Sequence, residues 1–73
     1  MATHNIVIMD ETGHTELVLE TFETVQRLEL EQKAENWIYL GQKLIDPGTK
    51  ITSAMLMGVE EITITPQMIG GNQ

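Results

Sequence analysis

Apolar and polar residues along the chain fall into short blocks, and each block points to an element. Ile6-Val7-Ile8-Met9 is a β-branched run. Asp10-Glu11-Thr12-Gly13-His14 follows with turn formers around a glycine, and Thr15-Glu16-Leu17-Val18-Leu19 reads as a second strand. Two such runs across a short glycine-containing loop predict an antiparallel hairpin. Gly13 can adopt positive φ, and the Asp10 and Thr12 side chains can satisfy backbone donors in the turn. From Phe22 to about Glu35 the residues are good helix formers, with Thr21 as the expected N-cap. Phe22, Val25 and Leu28 recur at helical spacing and predict the buried face, whereas Leu30 falls away from it. Arg27 can pair with Glu23 and Glu31 across one turn.

Trp37-Ile38-Tyr39-Leu40 is the strongest β segment. Gly41-Gln42 turns it into Lys43-Leu44-Ile45, and Asp46-Pro47-Gly48 breaks the chain. Residues 49–58 suggest a loop with one helical turn. Glu61-Ile62-Thr63-Ile64-Thr65 alternates, which sends Ile62 and Ile64 to a core and the threonines outward, and Pro66 marks an edge or a strand end. The order is ββαβββ, an α+β class. If the last strand returns between the first and third, the result is a β-grasp: a mixed sheet with one helix on its concave face. The expected core is Ile6, Ile8, Leu17, Leu19, Val25, Leu28, Leu44, Leu56, Ile62 and Ile64. Ile38 joins it in one phase of the third strand, and Trp37 with Tyr39 in the other. Residues 1–69 form one domain, and residues 70–73 a flexible tail.

Composition narrows the function. The 73 residues carry four basic and eleven acidic side chains, a net charge of −7, and no cysteine. Thiolate metal sites, disulfides and cysteine nucleophiles are therefore absent. Nucleic-acid binding needs clustered Lys and Arg to neutralise phosphates, but Arg27, Lys33, Lys43 and Lys50 are scattered among carboxylates. An anionic membrane is disfavoured for the same reason. No apolar run approaches the ~20 residues of a membrane span, and no secretory signal opens the chain, so a cytoplasmic protein is expected. His14 lies beside Asp10 and Glu11 with His4 upstream, but the spacing fits no ligand motif, so no metal is expected. No nucleophile–base pair or carboxylate pair can be argued in so small a core. The chain is read as a non-enzyme without a cofactor.

Three stretches together resemble the ubiquitin-like family. Thr12-Gly13-His14-Thr15 is similar to the Thr-Gly-Lys-Thr tip of ubiquitin's first hairpin. Trp37-Ile38-Tyr39-Leu40-Gly41-Gln42-Lys43-Leu44-Ile45-Asp46 resembles the strand, glycine turn and strand of its second half. Ile62-Thr63-Ile64-Thr65 then leads to Gly70-Gly71, the place of the di-glycine. The ending Pro66-Gln67-Met68-Ile69-Gly70-Gly71 also resembles the bacterial sulfur carriers of molybdopterin and thiamine synthesis, which share that fold. The segment between helix and third strand is shorter than in ubiquitin, its basic tail is replaced by Gln67-Met68-Ile69, and Asn72-Gln73 follows the glycines.

The resemblance implies a small modifier or carrier activated at Gly71 after removal of Asn72-Gln73, with an activating enzyme and a processing peptidase as protein partners and the body a monomer. Two residues without side chains suit an extended tail that must enter a narrow enzyme channel. The resemblance also turns Ile38 outward as the centre of a recognition face, flanked by Thr65 and the hairpin tip with Gly13 and His14, and it places Trp37 and Tyr39 in the core. Lys33, Lys43 and Lys50 become possible acceptors for chain linkage, with Gln42 where ubiquitin has a linking lysine. The alternative is a non-covalent interaction module, an adaptor or a phage-type assembly factor, that uses the fold only as a surface.

Overall fold

The computed structural model describes residues 2–66. Its elements are β1 (Thr3–Asp10), β2 (Gly13–Glu20), α1 (Thr21–Lys33), β3 (Trp37–Leu40), β4 (Lys43–Leu44), a short 3-10 helix (Ser53–Leu56) and β5 (Glu61–Thr65). The order of elements is the one the residue pattern predicts. The strands form one mixed sheet in the order β2-β1-β5-β3-β4. β5 runs parallel to β1 and antiparallel to β3, so the last strand does lie between the first and third. One helix packs on one face of this small α+β sheet, an arrangement compatible with a β-grasp.

The β1–β2 connection spans only Glu11 and Thr12, and Gly13 takes φ 138° as the chain re-enters the ladder. Asp10 Oδ1 accepts both the Thr12 backbone N–H (2.8 Å) and the Thr12 hydroxyl (2.7 Å), so the turn is held by the two side chains expected to hold it. These bonds, the hydroxyl first, hold the Asp10 carboxyl below its ordinary value of 3.8. A depressed native value means that the contribution of Asp10 to stability is whole above pH 3.8 and fades as pH falls through the native value. An NMR titration of the Asp10 carboxyl is expected to show a midpoint below 3.8 that rises when Thr12 is replaced by alanine.

Buried apolar side chains come from every layer: Ile6 of β1, Leu28 of α1, Ile38 of β3, Ile45 and Ile51 of the connecting loops, Leu56 of the 3-10 helix, and Ile62 and Ile64 of β5. Ile8, Leu17, Leu19 and Val25 pack around them, half-buried. Expectations about the core are corrected at several positions. Ile38, expected on the surface, is only 2% exposed, because its partner across the ladder is Ile64, and residues paired directly share one face of a sheet. Leu44 is opposite Tyr39 on the other face and is exposed, and Ile45 is the buried residue instead, its N–H donating to the Ile38 carbonyl at 2.9 Å. Phe22 is 72% exposed, and Thr24 is fully buried, one turn before Leu28.

A threonine can occupy that buried place because its hydroxyl donates to the Glu20 carbonyl at 2.8 Å. The N-cap position belongs to Glu20, without a side-chain cap, and not to Thr21. At the other end α1 closes with a double bond pattern: the Asn36 N–H donates to the Glu31 carbonyl (3.0 Å) and the Glu35 N–H to the Gln32 carbonyl (2.9 Å). That closure puts Glu35 at φ 64°, a left-handed conformation that costs a residue with a Cβ. Glu35→Gly is therefore expected to raise stability by about 0.5–1 kcal/mol, read as a higher urea midpoint with an unchanged slope.

Candidate functional site

Strand alternation divides the sheet into two faces. α1, the 3-10 helix, Ile51 and Val59 gather against the face of Ile6, Ile38, Ile62 and Ile64. The other face carries no helix among the described residues. Its central row runs Glu16–Val7–Thr63–Tyr39–Leu44 across all the strands, each residue opposite the next. One step along, Met9 lies opposite His14, and Trp37 opposite Thr65. One step the other way, Asn5 lies between Val18 and Glu61. Val18, Met9 and Leu44 are exposed there, and Val7, Tyr39 and Trp37 are half-buried.

This open face is the surface the fold presents, and its aromatic members are those the resemblance placed in the core. Of the residues expected at a partner surface, Thr65 is on this face beside Trp37. His14 is at its rim and Gly13 in the adjoining turn, both exposed. Ile38 is on the opposite face and is lost to it. The sequence held a usable signal: Thr63 and Thr65 point outward, so any residue paired with them must do the same. The missing piece was the register that joins Tyr39 to Thr63.

The sheet also has two distinct ends. β1 runs toward the hairpin tip, β5 runs alongside it, and β3 starts there, so Thr65, the Glu11–His14 turn and Trp37 share one end. Trp37 borders a shallow depression of about 310 Å³ with Gln32, Glu35, Asn36 and Pro47. Its polar wall is fixed, since Glu31 accepts from Arg27 (2.8 Å) and from Asn36 (2.6 Å), while the Gln32 amide donates to the Thr49 carbonyl (2.8 Å). A second hollow of about 410 Å³ is lined by Leu40, Lys43, Leu44, Ile45, Met55 and Val59 among others. Gly70 and Gly71, the expected conjugation residues, lie outside the described residues, as do Gln67-Met68-Ile69 and Asn72-Gln73.

The two histidines do not come together. His14 is exposed, with Nε2 3.3 Å from Glu16. His4 is buried at the far end of β1, where Nδ1 is 2.6 Å from the Val59 carbonyl and Nε2 2.8 Å from the Thr21 hydroxyl. A carbonyl only accepts, so Nδ1 carries a proton toward Val59, and Nε2 is engaged by the Thr21 hydroxyl. His4 therefore ties β1 to α1 and to the loop before β5, and both its nitrogens are engaged. No three His, Asp or Glu side chains among the described residues are placed to hold a metal ion. No helix among the described residues is long and apolar enough to cross a membrane.

No protein-family model matches the chain, and no curated protein or solved structure matches it.

Proposed function

We propose that the chain is a ubiquitin-like modifier or carrier, a β-grasp body that offers the carboxyl group of Gly71 to other enzymes. The observation that supports this most is the place of β5. It is the central strand, and it carries the chain out of the sheet at Thr65, beside Trp37 and the hairpin tip, with only Pro66 to Ile69 between the sheet and Gly70-Gly71. A spacing of four residues, Pro66 to Ile69, between a central strand and Gly70-Gly71 suits a reaction in which an enzyme holds the body and reacts at Gly71. Hydrolysis of the Gly71–Asn72 bond adds one water and leaves a free carboxylate on Gly71. Activation by ATP then gives an acyl-adenylate and pyrophosphate, and an amine or a sulfur donor displaces the AMP. The chain itself supplies no catalyst in this scheme, only the presented carboxyl group and a face by which the activating enzyme holds it.

Intact-mass spectrometry of the protein isolated from cells that encode it is the test. A species ending at Gly71, its thiocarboxylate with sulfur in place of oxygen, or an adduct on another protein through Gly71 is the expected result. Gly71→Ala is expected to abolish the adduct or the thiocarboxylate without moving the unfolding midpoint. A chain recovered only with Asn72-Gln73 attached, and with no adducts, overturns the modifier reading.

A second reading has its own observation. The open face groups Trp37, Tyr39, Val7, Met9 and Val18 with nothing from the described elements packed on it, and large aromatics of this kind anchor protein interfaces. A non-covalent adaptor would use that face and leave the glycines idle. Tyr39→Ala would then remove the partner while Gly71→Ala would not, the reverse of the pattern expected of a carrier with no contact at Tyr39.

A further inference from the structure

We propose that β2 is a self-association edge, onto which a second copy of this chain adds its own β2 antiparallel to the first, making one continuous sheet. The two edges of the sheet differ sharply. β4 is two residues long and carries Lys43, the usual way of blunting an edge. β2 is eight residues long, Gly13–Glu20, with no proline, no lysine and an unbroken register from Thr3↔Glu20 to Asp10↔Gly13, hence no bulge. Val18 on this edge is 68% exposed.

The free backbone groups of β2 can be assigned. The Asn5 N–H donates to the Glu60 carbonyl at 2.8 Å, so Asn5 turns its backbone toward β5, and its neighbours His4 and Ile6 turn theirs toward β2. Their partners Leu19 and Leu17, with Thr15 in the same phase, face β1. His14, Glu16 and Val18 therefore direct both N–H and C=O to the open edge, and Glu20 its N–H, since its carbonyl accepts the Thr24 hydroxyl. A second β2 can bond only where edge-facing residues meet edge-facing residues.

That condition leaves few frames, and charge chooses among them. Centring the two-fold axis on Glu16 sets that carboxylate against its own copy. Centring it on Val18 sets Glu16 against Glu20 twice. Centring it on Leu17 sets Glu16 against Val18 and His14 against Glu20, so no like charges meet directly and each acid or base faces an apolar or an opposite group. Glu16 and Val18 then exchange both backbone bonds with their partners, and the Glu20 N–H reaches the His14 carbonyl. Centring it on Thr15 sets Glu16 against His14 but overlaps only residues 13–17 of each strand, so the Leu17-centred register is the longest one in which no like charges are opposed. This partner departs from the monomer expected of the sequence. Each copy carries a net charge of −7, so long-range repulsion opposes the pair and salt relieves it.

The test uses the full chain made by chemical synthesis, with and without N-methylation of the Val18 amide, a change that removes an edge N–H engaged in no bond to β1. Sedimentation equilibrium is expected to show a reversible monomer–dimer equilibrium that tightens as salt is added. Amide exchange at His14, Glu16 and Val18 is expected to slow as the chain is concentrated, while Leu17 and Leu19 are already slow when dilute. N-methylation is expected to weaken association at least about tenfold, and His14→Glu, which places carboxylates opposite Glu20, about tenfold through its two symmetry-related pairs. A chain that stays monomeric to about 1 mM, or a dimer insensitive to both changes, overturns the proposal. So does slowed exchange confined to the aromatic face.

Discussion

Ile38→Ala is expected to destabilise the protein by about 2–4 kcal/mol, a large share of the about 4–11 kcal/mol that a chain of this size holds. Ile38 is 2% exposed and pairs with Ile64, itself buried, at the middle of the helix-covered face. Truncation removes the buried carbons and leaves a cavity between β3 and β5 that neither rigid strand can close. The half-buried neighbour Tyr39, on the opposite face, is expected to cost clearly less when changed to alanine, although its side chain is larger. Chemical denaturation of the two variants measures the difference. Had Ile38 been the surface residue and Tyr39 the core residue, the order of the two effects would be reversed, so one pair of unfolding curves decides which face the helix covers.

His4→Ala is expected to cost about 2–4 kcal/mol, more than the change of volume alone accounts for. The ring is 3% exposed and bridges β1, the Val59 carbonyl before β5, and the first residue of α1. Removing it leaves the Val59 carbonyl and the Thr21 hydroxyl, both in part-buried bonds, without their partner. Thr21→Val is expected to cost about 1 kcal/mol in the natural background and close to nothing once His4 is alanine. The double-mutant cycle from thermal or urea unfolding supplies that comparison, and equal effects of Thr21→Val in both backgrounds would show that the bond to His4 contributes nothing.

Much of this fold is legible in the sequence, because its signals are local. The Asp10–Gly13 turn, the helix-forming run after Leu19, the Asp46-Pro47-Gly48 break and the alternation from Glu61 to Thr65 each depend on neighbouring residues alone. The parity of β3 does not. Trp37-Ile38-Tyr39-Leu40 is apolar in both phases, so alternation selects neither, and the register with β5 settles it by setting Ile38 against Ile64. Leu44 and Ile45 pose the same two-sided problem in a strand of two residues. The helix shows another limit. Phe22, Val25 and Leu28 gave the stronger apolar spacing, yet Thr24 occupies the core because its hydroxyl finds the Glu20 carbonyl, a bond that hydrophobicity does not register. The candidate surface suffered most, since an error of one residue in phase exchanges a core for a binding face. His4 read as one more histidine near the chain start, because its partners, Thr21 and Val59, lie far along the sequence.

The middle position of β5 also governs how this protein can be born. β1 with β2, and β3 with β4, share no ladder bond with each other, and within the sheet only the five residues Glu61–Thr65 join the two pairs. Those residues are translated after both. A nascent chain halted on the ribosome before Glu61 therefore lacks the strand that makes the two ribbons one sheet, and the sheet can close only once that seam has cleared the exit tunnel.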